Sequence, residues 1–171
     1  MPEIIKTYKQ SVGATRFIGK KYGDADRVDG SFGAKWGEWF EKGWFDTITS
    51  QFDGDLSQAQ EDGGAYIGLM QGGHDTPFEY WIGVFMPEGT AVPEGCSHID
   101  FPAGNLGVCW VYGKEHEVYM QEGQCWEQLE KEGYVGDPGN SFWGFERYVC
   151  PRFTTPDGDG NIVLDICFFV K

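Results

Sequence analysis

The chain has little positive charge. Its 13 Lys and Arg residues stand against 27 Asp and Glu residues, which gives a formal net charge of −14 over 171 residues. A surface with this balance repels phosphate backbones and anionic lipid headgroups on average, and it attracts cations. We therefore expect neither nucleic acid nor a membrane as a direct partner.

Long apolar runs and paired cysteines are also missing. No uncharged stretch reaches the roughly 18 residues that a membrane-spanning helix needs, and the opening residues MPEIIKTYKQ lack the apolar core of a secretory signal. The cysteine count is odd, and the five are well separated: Cys96, Cys109, Cys125, Cys150 and Cys167. This usage predicts free thiols in a reducing compartment, so we expect a cytoplasmic protein.

Recognisable catalytic and metal-binding motifs are absent. The sequence has no HExxH, CxxC, P-loop, GxSxG or dinucleotide-binding pattern. Cys96 and His98 come closest to a pair of zinc ligands, but no further ligand accompanies them. The stretch from Asp157 imitates a calcium loop, yet Ile162 stands where that loop needs glycine and Phe168 where it needs glutamate. We expect no metal and no cofactor.

Aromatic residues, in contrast, are plentiful. They make up 16% of the chain and include seven tryptophans. Large rings either fill a hydrophobic core or provide a stacking surface for a ligand, and composition leaves both interpretations open.

Hydrophobic periodicity predicts a first half in the order strand, helix, strand, strand. The predicted strands are 15–22, 65–71 and 78–86, and the last two form a hairpin around GGHDTP. The helix begins at Asp29 as the N-cap and carries aromatic and aliphatic residues at helical spacing: Phe32, Trp36, Trp39, Phe40, Trp44 and Ile48. The acidic, glycine-flanked segment 53–64 is predicted to be an exposed loop.

The second half has the same predicted order. SHIDF and LGVCWVY form a strand broken at 102–104, a helix covers about 116–132, and strands cover 142–150 and 162–170. Val118, Glu122, Trp126 and Leu129 mark the inner stripe of that helix. The repeat predicts an α+β fold of two duplicated βαββ halves, about 12–88 and 95–171, with antiparallel sheets and pseudo-twofold symmetry. We expect a ligand groove at their junction.

Several segments together resemble the GyrI-like family, which includes effector domains of multidrug-responsive transcription regulators. The matching pieces are VGATRFIGKKY, FEYWIGVFM, IDFPAGNLGVCWVYG, the Trp126 helix ending in EKEGY, FWGFERY and the closing strand. They extend from about Val12 to Lys171. The resemblance implies a single effector-binding domain over 1–171. Because only about 13 residues precede the first predicted strand, we expect a stand-alone domain without a helix-turn-helix.

The resemblance also implies a function and a site residue. Relatives of this kind bind bulky lipophilic, often cationic compounds between their halves, and the acidic residue of the GFERY-type strand corresponds to Glu146. Some members are associated with opening strained rings in toxic natural products, and others with inhibiting a topoisomerase. A hydrolase that uses Glu146 and Tyr148, and a topoisomerase-binding protein, are therefore the alternatives to simple binding.

Glu146 itself lies in an otherwise apolar strand. An isolated buried carboxylate is strongly disfavoured, so Glu146 either points to a surface or salt bridge, or lies in a pocket that complements its charge. Strand alternation puts Phe142, Gly144, Glu146 and Tyr148 on one face and Trp143, Phe145 and Arg147 on the other. Tyr148 is therefore the predicted pocket partner of Glu146.

Four tryptophans are candidates for the walls of the groove: Trp36, Trp39, Trp81 and Trp110. Each could stack on a planar cation, although we expect about half of them to be core residues. Trp110 ranks first because it follows the family-like PAG turn on a central strand. The sequence thus favours a non-enzymatic protein that binds small hydrophobic compounds, cationic or planar and aromatic, in an acidic and aromatic groove.

Overall fold

The structure is a computed structural model, and it describes residues 1–72 and 75–171. Gly73 and His74, in the loop of the first predicted hairpin, lie outside the described residues. The backbone separates into two units. Unit 1 comprises Met1–Val12 with Gly104–Lys171, and unit 2 comprises Gly13–Ala103.

Unit 2 combines four antiparallel strands with three helices. Its strands are β2 (Thr15–Gly23), β3 (Tyr66–Gln71), β4 (Glu79–Pro87) and β5 (Ser97–Phe101), and its helices are α1 (Gly33–Lys42), α2 (Trp44–Thr49) and α3 (Leu56–Ala59). The strands are hydrogen-bonded in the order β3-β4-β2-β5. Gly19 of β2 pairs with Gly83 of β4, and a Cβ on either glycine would collide with the backbone of the other strand.

Unit 1 contains the remaining elements. Its strands are β1 (Glu3–Val12), β6 (Gly104–Gly113), β7 (Phe142–Tyr148) and β8 (Ile162–Val170), and its helices are α4 (Glu115–Val118) and α5 (Glu122–Lys131). The strand order is β1-β6-β8-β7, with antiparallel pairing throughout. Helix α5 buries Cys125 and Leu129 against a core cluster that includes Cys109, Ile166 and Phe168.

The two units share one topology. Each has a strand, a helical segment and two further strands, and in each the first strand of that series also pairs with one additional edge strand. The additional strand is β5 in unit 2 and β1 in unit 1. The predicted α+β class and βαββ order are confirmed. The single domain, the pseudo-twofold and the junction groove stay predictions.

The predicted boundaries of the halves need correction, because strand β1 was not predicted. Its residues precede the first predicted strand, yet they pair with β6, about a hundred positions further along the chain. The predicted broken strand is also two strands in different units, since β5 pairs with β2 whereas β6 pairs with β1 and β8. The division therefore falls after Val12 and after Ala103.

Both predicted helices are interrupted. Asp29 is not an N-cap, because its φ is +52° and α1 begins only at Gly33. Gly43, at φ +67°, ends α1, as a glycine in the left-handed region commonly does. In unit 1 the predicted helix divides into α4 and α5 around Met120, whose φ is +62°. The predicted loop 53–64 contains the short helix α3, capped by the Asp55 side chain.

Two absences apply to the described residues alone. None of their helices is long and apolar enough to cross a membrane. Among the same residues, no three His, Cys, Asp or Glu side chains are grouped so that they could hold a metal ion.

Candidate functional site

Strand register places Glu146 on the side of unit 1 that the helices cover. Glu146 pairs with Ile166 of β8, and Ile166 pairs with Cys109 of β6, so the three share one face. Ile166 and Cys109 pack in the same core cluster as Cys125 and Leu129 of α5. Glu146 is only 8% exposed, and it shares this face of the sheet with the apolar core cluster.

Tyr148 holds this carboxylate. Its hydroxyl donates a hydrogen bond of 2.6 Å to Oε2 of Glu146, a length typical of a bond to a charged acceptor. The Tyr148 ring meets the Phe153 ring edge-on at 4.7 Å between centroids. The predicted pairing of Tyr148 with Glu146 is therefore present in the structure, and Phe153 adds a ring from the segment between β7 and β8.

Tyr119 contributes the next aromatic ring. It follows α4, is half-buried, and donates a hydrogen bond of 3.2 Å to Oε1 of Glu115. Burial raises the pKa of Tyr119 well above its usual value, and the negative charges of Glu115 and Glu146 raise it further. Tyr119, Tyr148 and Phe153 all pack against the core cluster of unit 1. We call Glu146, Tyr148, Tyr119 and Phe153 the acidic–aromatic cluster.

Further rings pack on the same side of unit 1. Phe168 contacts Trp126 of α5 at 5.2 Å and stacks on Trp143 at 6.0 Å. Strict alternation had put Trp143 on the face opposite Glu146, and that prediction is wrong. The pairing of β7 with β8 covers Gly144 to Arg147, and Trp143 lies outside it.

Trp110 lies on the opposite face from Glu146. It pairs with Asp165, which pairs with Arg147. Arg147 binds the fully buried Asp165 carboxylate at 2.8 Å, and the Arg152 guanidinium lies 4.6 Å from the Trp110 ring. The tryptophan that ranked first is therefore part of a charged network on the other side of the sheet, so it does not line the acidic–aromatic cluster.

The other three candidate tryptophans belong to unit 2. Trp39 is fully buried and donates 2.9 Å to the Tyr22 hydroxyl, which makes it a core residue. Trp36 is half-buried and donates 3.1 Å to the Tyr80 hydroxyl. Trp81 follows Tyr80 along β4 and therefore faces the other side of that strand. A ligand-binding role for these three residues stays a prediction.

Sequence reasoning missed Tyr119, Glu115 and Phe153. The i to i+4 spacing of Glu115 and Tyr119 is a readable signal, since such residues lie on one face of a helical turn. Phe153 follows a strand end in an irregular segment, and no periodicity there pointed to it.

The thiols near α5 do not form a reactive centre. The pKa of Cys125 is raised by its hydrogen bond with Cys109 and by burial, so its thiolate is scarce and its nucleophilicity low. Burial also raises the pKa of Glu122, one turn earlier on the helix.

The pair Cys96 and His98 is not joined by a third ligand in the described residues, and His98 instead lies 3.9 Å from Asp100.

Solved structures with similar folds give this geometry a context. SAV2435 bound to tetraphenylphosphonium is 16% identical to this chain and has a TM-score of 0.65. The match covers 98% of this chain and 94% of the SAV2435 chain. A candidate bacterial transcription regulation protein from Staphylococcus aureus MU50 is 17% identical, with a TM-score of 0.62 and coverage of 97% and 98%. The EcmrR C-terminal domain is 10% identical, with a TM-score of 0.59 and coverage of 97% for both chains.

The chain therefore shares the fold of these solved structures. At these identities the likeness concerns the fold alone, so the ligand and the role have to be argued from the side chains. No protein-family model matches the chain, and no curated protein matches it.

Proposed function

We propose that the chain binds small lipophilic cations at the acidic–aromatic cluster of unit 1, as a sensor or a sequestering protein. The observation that carries the proposal is Glu146, a carboxylate that is 8% exposed and lies among aromatic rings. The fold neighbour SAV2435, which is bound to tetraphenylphosphonium, supports the choice of a cation.

The energetics favour a cation over a neutral compound. Burying a carboxylate costs free energy that hydrogen bonds repay only in part. Tyr148 supplies one such bond without supplying positive charge. A bound cation gains Coulomb energy that water screens weakly at a buried position. The faces of Tyr148, Tyr119 and Phe153 add cation–π attraction, about 0.5–2 kcal/mol for each ring that the cation contacts.

The lipophilic character of the proposed ligand follows from the rings. Tyr119, Tyr148 and Phe153 are all half-buried, so each still presents apolar surface that a hydrophobic ligand can cover. Covering apolar surface contributes roughly 25 cal/mol per Å². Hydrated ions such as sodium bring no such surface, so we expect organic cations to be bound in preference to inorganic ones.

The location of the protein, its partners and its alternative functions stay predictions. All five cysteines are free, and we propose the cytoplasm as the location because free thiols persist in reducing compartments. The net charge of −14 supports a small-molecule partner and no direct contact with nucleic acid. The hydrolase and topoisomerase-binding alternatives have no specific observation in their favour.

Calorimetric titration with tetraphenylphosphonium tests the proposal, with triphenylphosphine oxide as a neutral compound that carries similar rings. We expect saturable binding of the cation, a raised melting temperature in its presence, and much weaker binding of the oxide. If the cation gives neither binding heat nor thermal stabilisation, or if both compounds bind equally, the proposed function is wrong.

A further inference from the structure

The face of unit 1 opposite Glu146 buries two N–H groups that have no hydrogen-bond partner among the residues that the structure describes. They are the side-chain amide Nε2 of Gln10 and the indole Nε1 of Trp110. Gln10 as a whole is only 4% exposed. A buried donor without an acceptor costs free energy, because it has given up its bonds to water and gained none in the protein. Native proteins seldom leave such groups unpaired, so each one calls for an acceptor.

Strand register and hydrogen bonds place the two donors in one group. Trp110 pairs with Lys6 of β1, and Lys6, Tyr8 and Gln10 alternate along β1, so they share a face. The Arg147 guanidinium donates 2.9 Å to Oε1 of Gln10 and 3.4 Å to the Tyr8 hydroxyl. The rings of Tyr8 and Trp110 meet edge-on, 6.2 Å apart. We call Lys6, Tyr8, Gln10 and Trp110 the donor group.

Positive charge lies against the Trp110 ring. The Lys6 ammonium is 4.5 Å and the Arg152 guanidinium 4.6 Å from its centre. The one carboxylate of this network, Asp165, is bound by the guanidinium groups of both Arg147 and Arg152. Lys6 forms no ion pair with a carboxylate in the described part of the chain. Cations close to an N–H group favour a negatively charged acceptor over a neutral one, by Coulomb attraction.

We propose that the donor group binds a small carboxylate anion, whose oxygens accept the N–H groups of Gln10 and Trp110 and whose charge is offset by Lys6. A carboxylate has two acceptor oxygens, which suits two separate donors. Lys6 and Arg152 already contact the Trp110 ring, so the N–H edge is left for the ligand, and this favours a small anion over an aromatic one.

Lys6 also provides a way in. It is exposed, and its flexible side chain can shift to admit an anion and then pair with it. The site is separate from the acidic–aromatic cluster, because Trp110 and Glu146 lie on opposite faces of the sheet. The inference therefore goes beyond the proposed function and does not depend on it.

The expected affinity is low, because an ion with few atoms makes few contacts. We expect a dissociation constant that is roughly millimolar for acetate. Lys6 should account for about a two- to fivefold part of it, as an ion pair at an exposed side chain does.

The test follows the indole N–H resonance of Trp110 by NMR while sodium acetate is added at constant ionic strength. Trp110→Phe removes this resonance and so assigns it. We expect a saturable shift with acetate and little shift with acetamide, a neutral compound of the same shape. Gln10→Glu keeps an oxygen for Arg147 and replaces the donor by a negative charge, so it should abolish the shift.

Lys6→Gln and Lys9→Gln form a matched pair, because both lysines are exposed on β1 and strand alternation puts Lys9 on the other face. Lys6→Gln should weaken acetate binding about two- to fivefold, and Lys9→Gln should leave it unchanged. The two variants keep the test informative even where Gln10→Glu fails to fold.

Four results would overturn the inference: no saturable shift with acetate, an equal shift with acetamide, a shift that survives Gln10→Glu, or equal effects of the two lysine variants. The first is expected if ordered water alone satisfies the two donors. None of these results bears on cation binding at Glu146, which tetraphenylphosphonium titration measures separately.

Discussion

Neutralising Glu146 is the most direct perturbation of the proposed site. Glu146→Gln removes one negative charge while it keeps the size of the side chain and an oxygen that can accept the Tyr148 hydrogen bond. The variant therefore tests charge with little change in shape. Its structural effect should be small, because a neutral amide is cheaper to bury than a carboxylate.

The magnitude follows from burial. Glu146 is 8% exposed, so an effective dielectric constant of roughly 20 applies, and two unit charges about 4 Å apart then attract by about 4 kcal/mol. Desolvation of the ligand cancels part of this gain. We expect a net loss of about 2–3 kcal/mol, or roughly 30- to 150-fold in the affinity for tetraphenylphosphonium.

Calorimetric titration of the wild type and the variant with tetraphenylphosphonium and triphenylphosphine oxide measures this loss. The affinity for the neutral oxide should change far less. Glu61→Gln is the control, because Glu61 is an exposed carboxylate in unit 2. An equal loss for both ligands, or an equal effect of Glu61→Gln, would refute the assignment of Glu146 as the charge-selecting residue.

Three further predictions concern stability. The pKa of Tyr119 is raised in the folded state above its ordinary value of 10.0, so above about pH 10 the unfolded chain releases this proton first and stability should fall. Urea unfolding measured from about pH 8 to 11 should show a shallower fall in stability for Tyr119→Phe than for the wild type. Identical slopes for the two proteins would contradict this linkage. Asp165→Asn removes the carboxylate that Arg147, only 4% exposed, binds at 2.8 Å. It should cost about 3–5 kcal/mol in denaturant unfolding, and a loss below about 1 kcal/mol would contradict a tightly coupled buried pair. Gly19→Ala would drive a Cβ into the backbone of β4 and should lower the free energy of unfolding by about 1–3 kcal/mol. Gly37→Ala, which has open space at its Cβ in α1, should raise it by about 0.5–1 kcal/mol. Equal effects of the two substitutions would refute the steric account.

Short-range patterns predicted the fold class and one pair of the site. The period of two along β7 is a local property of an extended chain, so it correctly joined Tyr148 to Glu146 across one intervening residue. The same rule failed at Trp143, where β7 is not yet paired with β8.

Long-range pairing explains most of what sequence reasoning missed. Strand β1 is stabilised by β6, which lies about a hundred residues away, and its own sequence, EIIKTYKQSV, has no strong strand period. The break between α4 and α5 depends on Met120 in the left-handed region. Residues other than glycine rarely adopt that conformation, so no pattern in the sequence predicted the end of a helix there.

The tryptophans illustrate the limit for side chains. Composition left open whether the tryptophans line a ligand site or fill the core. In the structure the rings differ in the residues that they contact. Trp39 is fully buried, with its indole N–H bound to Tyr22, and Trp110 lies against Lys6 and Arg152. A ring that already faces two cations is a poor platform for a third, because like charges repel at close range. We therefore propose the cation-binding role for rings that adjoin carboxylates.

Unit 1 buries two carboxylates, and the two differ in the groups that they contact. Asp165 lies between the guanidinium groups of Arg147 and Arg152, so its charge is offset by more than one positive charge and serves the structure of the opposite face. Glu146 receives the hydroxyl of Tyr148, and its negative charge still acts on Tyr119, whose pKa it raises. A negative charge near an aromatic ring stabilises a cation placed on that ring, through both Coulomb and cation–π attraction. We therefore propose the helix-covered face of unit 1, rather than the face that carries Trp110, as the face that binds cationic ligands.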